Sequence, residues 1–462
     1  MSLLRLELWR ACRNTAVRLG LSLLLVCFIL ALIYGKTQVE RQSKIISELH
    51  TTIRESDEAY FKTRFKDDEQ MGRVHYYLRR PTAHVPLPQA ALSLGQRDLH
   101  SYHQSAWLRS LYSNLFDAGF ENPGRTEAGH FDLAFVIVFF LPLVVIATTF
   151  DLLSGEKQGK TLPLLRSSHV PLHTILRTRL LARLILLSTV VLSFVATALL
   201  LVGAGAAAYL PWGLTIFGYI LFWFGLCSIV ISLAGSSARN AGLLLALWTL
   251  LAVIAPTLLN LLLPRKALEN GAALTIRCRQ VVNNGWDIDK AKTQTAAALR
   301  VPLYEQAHIP TERFTWAWYY AMHDAGDEAV EKMARTYFQG LKNKDEQAFH
   351  YSLLSPPVRV QLLFDKLAGT DQSSHLGYYR FVRRAREKFQ AQYLPDVLQE
   401  KTIKQHDLLQ LHDSLTVLEY RPDEPEDWGW AVAQLWLVAL FTVLFGLHQL
   451  SLTEKRIRKR ES

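Results

Sequence analysis

The stretch "SGEKQGKT", from Ser154 to Thr161, contains the glycine, lysine and threonine of a nucleotide-binding loop. Such a loop needs four residues between its first glycine and the Gly-Lys-Thr, and it joins a strand to a helix. Only three residues separate Gly155 from Gly159, and residues 131–150 upstream form an apolar run of membrane-spanning length. Spacing and context therefore exclude a phosphate-binding loop and predict a small charged loop at a membrane surface.

Two histidines, His100 and His103 in "HSYH", have a spacing that can share a metal ion. The pair has no third ligand, and the few methionines and cysteines provide no soft-ligand cluster for copper. Surface or core histidines are more common, so we predict no metal site. No serine lies in a recognisable triad or elbow context. We therefore expect no catalytic residues and no cofactor bound by this chain itself.

Apolar residues are concentrated in six runs. Of the 462 residues, 50% are hydrophobic and 20% are charged, and the charges fall mostly between the runs. Each run is long enough to cross a bilayer, which predicts an all-α integral membrane protein with six transmembrane helices. The predicted spans are 16–35, 131–150, 180–203, 212–234, 241–263 and 429–450.

Lysine and arginine mark the side of the membrane that is predicted to be cytoplasmic. They precede the first span, surround the loop 151–179 and fill the basic tail 451–462, whereas "GAGAAAYLP" between the third and fourth spans carries no charge. Both termini are therefore expected in the cytoplasm. This distribution also explains the net charge of +10 without nucleic acid as a partner.

Two polar segments, 36–130 and 264–428, are predicted to form two mainly helical extracytoplasmic domains. Residues 37–65 lack glycine and proline, so the first span should continue outward as a long helix. Residues 1–15 are predicted as an interfacial amphipathic helix. Pro142 and Pro256 should kink their spans where neighbouring helices can satisfy the freed carbonyls. In the second segment, periodic apolar residues predict helices over 324–341, 357–367, 376–393 and 397–418.

A resemblance to ABC-2-type permeases is found in the second span and the loop after it, "FDLAFVIVFFLPLVVIATTFDLLSGEKQGKTLPLLRSSHVP". A branch of that superfamily, with a domain of unknown function and large external insertions, is similar to "GQRD" and "ENPGRTEAGHFD" before this span. The same branch is similar to "SPPVRVQLLFDKLAGTDQSSHLGYYRFVRRAREKF" after the fifth span. The motifs recur in order and cover most of the chain. They indicate an architecture and name no substrate.

The resemblance implies one half of an ATP-driven exporter of the inner membrane. Two permease chains, identical or related, would pair, and each would dock its cytoplasmic loop on a separate ABC ATPase subunit that binds ATP and Mg²⁺. Where the family usually has a second acidic residue and a glycine before Thr161, this chain has Gln158 and Lys160, with the glycine at Gly159. A solvated turn is the alternative interpretation. By position in the motif, the residues that meet the ATPase are Glu156, Lys157, Gln158, Gly159, Lys160, Thr161, Leu162, Leu164, Leu165 and Arg166.

The predicted spans contain almost no ionisable residues, which favours an external energy source over a proton or ion relay. The domains, facing the periplasm, would form a chamber or a docking surface for the substrate or an extracytoplasmic partner. As an alternative function, the ATPase moves these domains mechanically and nothing crosses the membrane. Five residues could line a path between paired chains or, alternatively, serve as helix-packing contacts and interface anchors: Tyr219, Trp223, Asn240, Trp248 and Asn260.

Overall fold

The computed structural model describes residues 3–65, 68–116, 130–263, 271–307, 313–423 and 427–453. Of these described residues, 78% are helical. Its helices, in chain order, are α1 (Leu3–Arg13), α2 (Thr15–Arg64), α3 (Met71–Tyr77), α4 (Leu133–Phe135, Val136–Phe140 and Leu141–Thr149 in one run), α5 (Ser154–Gln158), α6 (Leu162–Arg166), α7 (Leu172–Leu201), α8 (Ala206–Ser232), α9 (Ser237–Trp248, Thr249–Ile254 and Ala255–Leu262 in one run), α10 (Gly271–Asn284), α11 (Lys290–Ala298), α12 (Trp316–Tyr351), α13 (Pro356–Ala368), α14 (Gln372–Leu398), α15 (Gln405–Ser414) and α16 (Trp428–Ser451). The strands in the described residues are β1 (Glu69–Gln70), β2 (Arg80–His84), β3 (His103–Ala106), β4 (Thr402–Ile403) and β5 (Leu418–Tyr420).

Within the described ranges, six helices are long and apolar enough to cross a membrane: α2, α4 with its continuation into α5, α7, α8, α9 and α16. The prediction of a mainly helical chain with six helices of membrane-spanning length is therefore confirmed. In α8, 72% of the most apolar window is buried inside the chain, whereas in α9 the share is 11%. The helix α8 thus lies at the centre of the bundle, and α9 presents most of its surface to the surroundings.

The helix α2 continues far beyond the length that crosses a bilayer. Asn14 caps its N-terminus by accepting a hydrogen bond from the Val17 backbone N–H, and the helix runs for 50 residues from Thr15 to Arg64. At a rise of 1.5 Å per residue it is about 75 Å long. Gly35 allows the backbone around Ala91 to pack closely against α2, because a Cβ at this position would lie 1.9 Å from the Ala91 carbonyl oxygen. The predicted outward continuation of the first span is confirmed.

Two spans contain π-helical turns directly before or around a proline. In α4 the π-turn is Val136–Phe140, followed by Pro142, and in α9 it is Thr249–Ile254, followed by Pro256. Proline has no N–H for the carbonyls one turn before it, and a wide turn accommodates its ring. Side chains of neighbouring elements donate to carbonyls in both turns, as the sequence predicts.

The two polar segments share their cores and their sheets. Phe61 and Val74 from the first segment belong to the same hydrophobic cluster as Tyr320 and Phe389 from the second. Strand β2 pairs with β3 of its own segment and, in parallel, with β5 of the other, and β1 pairs with β4. Two separate domains are the sequence-based expectation, whereas the described parts of both segments form one folded unit, here called the polar domain. Their strands are too short to stand out in the sequence, because each pairs across a long loop or across segments.

One predicted helix is interrupted. The sequence predicts a helix over 397–418, but α14 ends at Leu398, and Glu400 adopts a φ of 53° in the left-handed region. A helix cannot continue through such a residue, so the chain turns into β4 before α15 begins at Gln405. The other three predicted helices of this segment lie within α12, α13 and α14. Most of the predicted basic tail, residues 454–462, lies outside the described residues.

Candidate functional site

The two ends of the helix bundle carry different elements. The polar domain lies at one end, here called the domain end. The other end, called the loop end, carries α1, residues 150–171 between α4 and α7, and the turn 233–236 between α8 and α9. The stretch that the sequence analysis singled out, here the 154–166 segment, therefore lies on the side of the bundle opposite to the polar domain.

Glu156 belongs to an ion-pair cluster at the loop end. Its Oε1 accepts a hydrogen bond from Arg179 Nη1 at 2.7 Å, and its Oε2 accepts one from the Thr161 hydroxyl. Arg179 is only 8% exposed, and its Nε also reaches Glu7 Oε1 at 3.4 Å. Three helices, α5, α7 and α1, therefore share one buried guanidinium. Charge-assisted bonds in a desolvated site are strong and costly to leave unmade, so this cluster holds the 154–166 segment against the bundle.

A second group of contacts ties the segment to the turn between α8 and α9. Lys157 Nζ donates to the Ala234 carbonyl oxygen at 2.9 Å. The Ser237 hydroxyl lies 2.8 Å from the Ser154 hydroxyl and 3.2 Å from Gln158 Oε1. A displacement of the segment would therefore act on α7, on α1 and on the α8–α9 turn at once.

The outer surface of the segment is small and partly apolar. Residues 158–161 are exposed, and the Leu164 side chain is 74% exposed. Leu162 on the same helix is 6% exposed and packs into the core of the bundle. Lys160 has a φ of 56°, a conformation that costs a residue with a Cβ about 1 kcal/mol, and it closes the turn between α5 and α6. Leu164 and Lys160 are therefore side chains of this segment that another molecule can reach.

The ten residues predicted to meet an ATPase fall into two groups by geometry. Glu156, Lys157 and Leu162 make contacts inside the chain, and Leu165 and Arg166 are half-buried. The exposed residues are Gln158, Gly159, Lys160, Thr161 and Leu164. Of these, Gln158 and Thr161 also bond within the chain, to Ser237 and Glu156 respectively. Lys160 and Leu164 are the exposed side chains best placed for a partner.

The five residues predicted as possible path-lining positions lie mostly inside the helix packing. Tyr219 and Trp223 are fully buried, and Asn240 is 1% exposed. Tyr219, Asn240 and Trp248 each donate a hydrogen bond to a backbone carbonyl of the second span or its end. Asn260 is exposed. Four of the five side chains therefore serve helix packing within one chain, which was the alternative interpretation.

A link between the polar domain and the spans was not anticipated from the sequence. The Ser355 hydroxyl donates to the Leu251 carbonyl oxygen in the π-turn of α9 at 2.7 Å. Arg359, which is 2% exposed, donates to the Phe349 carbonyl oxygen at 2.7 Å and to Gln434 Oε1 in α16. Its guanidinium also lies 3.8 Å from the centre of the Phe349 ring. The signal in the sequence was the arginine of the motif "SPPVR", which lies two residues after the second of two prolines.

The two histidines of "HSYH" lie in different surroundings. The His100 ring stacks on His375, with ring centres 3.7 Å apart, whereas His103 lies on β3 and is exposed. Burial lowers the pKa of His375 to about 2 and that of His84, which lines the same small cavity, to about 3. These rings are therefore neutral core residues. Within the described ranges, no group of three histidine, cysteine or acidic residues is placed to hold a metal ion.

A family described as a domain of unknown function (DUF3526) matches residues 272–413. The match covers less than half of the chain, lies within the second polar segment, and names no activity. No curated protein and no solved structure matches the chain.

Proposed function

We propose that this chain is the membrane-spanning permease subunit of an ATP-driven ABC-2-type exporter. The observation that carries the proposal is the loop end, where a short exposed turn with Leu164 at its surface is fixed to three parts of the bundle. A separate ATPase would bind ATP and Mg²⁺ and would dock on this turn. The chain itself would provide no catalytic group.

The Glu156–Arg179–Glu7 cluster gives this proposal its mechanism. A force on the turn is transmitted through the buried Arg179 guanidinium, which α5, α7 and α1 share. The three helices would therefore move together with the 154–166 segment. Glu156 is then a positioning residue, and Leu164 and Lys160 are the contact residues. In this arrangement the chain lies in the inner membrane, with the loop end in the cytoplasm and the polar domain in the periplasm.

A second permease chain would complete the translocation path. The helix α9 buries only 11% of its apolar window within the chain, so it has a large apolar face for lipid or for a paired chain. Because Tyr219, Trp223 and Asn240 are packed inside one chain, a path between two chains would be lined by other residues of the exposed helix faces.

The proposal predicts different effects for a contact residue and a positioning residue. In a mild-detergent pull-down of the full chain, Leu164→Asp should reduce the co-purifying ATPase about tenfold or more, as at an interface hot spot. The matched control is His169→Asp, which places the same charge at another exposed position of the loop. Glu156→Ala should leave the ATPase bound but lower its stimulated activity, whereas Asp151→Ala, at an exposed carboxylate of the same loop, should not.

Recovery of the wild-type chain without any ATPase would overturn the proposal. Equal recovery of the ATPase with Leu164→Asp and His169→Asp would remove the 154–166 segment as the docking surface. Unchanged ATPase stimulation in Glu156→Ala would remove the positioning role of the cluster.

A mechanotransmission protein is the second candidate function, and the length of α2 favours it. One unbroken helix reaches from the loop end through the bundle into the polar domain, and Ser355 and Arg359 tie that domain to α9 and α16. Movement at the loop end would then reposition the polar domain against an extracytoplasmic partner. Transport assays in reconstituted vesicles separate this function from export.

A further inference from the structure

An open groove with a volume of about 1350 Å³ lies in the polar domain between α12 and α14. Its apolar and aromatic walls come from three parts of the chain, and they include the buried Tyr112 ring beside half-buried rings of α12 and α14. These walls are Tyr112, Leu115, Tyr337, Phe338, Leu376 and Tyr379.

Among the described residues that line this groove, every charged side chain is basic: Arg335, Lys342, Lys344, Arg380 and Arg383. Glu331 forms ion pairs with two of them, with Arg335 at 2.8 Å and with Arg383 at 3.0 Å. Lys342 Nζ lies 3.7 Å from Glu346 Oε1. Lys344 and Arg380 are exposed, and neither has an ion pair within the described part of the chain. The groove therefore has a positive rim with two uncompensated cations above an aromatic floor.

The groove ends close to the membrane-spanning bundle. Gln347, at its end, is one helical turn before Tyr351, where α12 stops. Phe349 in the same turn packs against the core of the spanning helices, and Ser355 bonds to α9 a few residues later. The end of α12 that lines the groove is therefore adjacent to the spanning helices at the domain end.

We propose that the groove binds an anionic lipid, with an acyl chain on the aromatic floor and a phosphate or carboxylate head at Lys344 and Arg380. An inorganic anion would leave the aromatic floor unused, and a neutral amphiphile would leave the basic rim unpaired. Apolar burial supplies binding energy in such a site, and convergent cations select the charge of the head. This proposal is independent of the export function and holds for either candidate function.

The test compares two lipids that share one acyl chain. Native mass spectrometry of the full chain in neutral detergent should show lysophosphatidate, a phosphomonoester, binding about tenfold or more tightly than lysophosphatidylcholine, which is zwitterionic. The double reversal Lys344→Glu with Arg380→Glu should abolish most of this preference. The matched control reverses two exposed cations of the same helices outside the groove, Lys332→Glu with Arg384→Glu, and should retain it.

Three results would overturn the proposal. The first is equal binding of both lipids, and the second is an equal loss in the groove variant and the control. The third is binding of glycerol phosphate as tight as that of lysophosphatidate, which would assign the rim to a free phosphate compound instead of a lipid. The variant Tyr379→Ala, with melting temperature measured alongside, should weaken both lipids together, because it removes part of the floor and leaves the rim charges.

Discussion

Glu156 illustrates how a correctly located residue can have a different task from the expected one. By resemblance it was expected among the residues that meet an ATPase, but its carboxylate is occupied by Arg179 and Thr161. The sequence places Glu156 in a loop; only the fold shows that Arg179, 23 residues later, and Glu7 share its charge. Leu164 and Lys160, next to it in the same motif, are the residues a partner can touch.

Asp365 is a buried carboxyl group, and within the described part of the chain it has no cationic side chain at ion-pair distance. Its Oδ1 accepts hydrogen bonds from the Ser93 hydroxyl at 2.6 Å and from Gln361 at 3.0 Å, and it lies in α13 between the polar domain and the spans. Burial, together with the nearby Asp132 carboxylate, raises the pKa of Asp365 to about 7. Between about pH 4 and pH 7 the folded chain therefore holds a proton that the unfolded chain releases.

The free energy of unfolding should consequently fall as pH rises through this window. Above the window, the folded chain bears the full cost of a buried, ionised Asp365 carboxylate. Asp365→Asn keeps the shape and an acceptor oxygen but cannot ionise. Melting curves of wild type and Asp365→Asn should nearly coincide at about pH 4. At about pH 8 the variant should melt higher, by about 2–4 °C for each kcal/mol of penalty removed. A difference between the two proteins that does not change with pH would contradict the assigned pKa.

At the scale of elements, the spans were the most predictable part of the fold. Long charge-free runs require helices, because no other local structure satisfies its own backbone in a bilayer. The prolines predicted the irregular turns of α4 and α9 as well. What the sequence could not identify was the partner of each freed carbonyl, since Tyr219, Trp248 and Ser355 come from elements distant in the chain.

Tyr219 and Pro142 should be energetically coupled. The Tyr219 hydroxyl donates to the Val138 carbonyl oxygen at 2.8 Å, one turn before Pro142. Tyr219→Phe leaves that carbonyl unpaired in an apolar interior, which should cost about 1–2 kcal/mol of unfolding free energy. In a Pro142→Ala background a backbone N–H is available again, so the same change should cost less. Detergent unfolding of the four proteins of this double-mutant cycle measures the coupling.

Tyr209→Phe is the control for that cycle, because Tyr209 lies on the same helix and has no hydrogen bond among the described contacts. It should change the unfolding free energy by less than about 0.5 kcal/mol. Equal costs of Tyr219→Phe in both backgrounds would show that the hydroxyl acts independently of the proline.

At the scale of the whole molecule, the union of the two polar segments is the feature that the sequence concealed. Each segment has enough apolar residues for a core of its own, so two domains were the simplest prediction. The strands that join them have two to five residues, and the contacts join residues separated by most of the chain. The consequence is that the end of α2, the strands and α12 to α15 should unfold together.

Leu78→Ala tests this cooperativity. Leu78 lies in the first segment, is fully buried, and belongs to one cluster with Phe389 of α14 in the second. A cavity at this position should cost about 2–5 kcal/mol. If the polar domain is one cooperative unit, hydrogen exchange should report the same loss of protection in α3 and in α14, although most of the chain separates these two helices in sequence. Loss of protection confined to α3 would indicate two independently stable domains. The control Leu299→Ala, at an 85% exposed leucine of the same domain, should change the protection of neither helix.

The result also decides how the polar domain can be removed. A cooperative unit requires deletion of both segments together, because deleting one would expose the apolar face of the other.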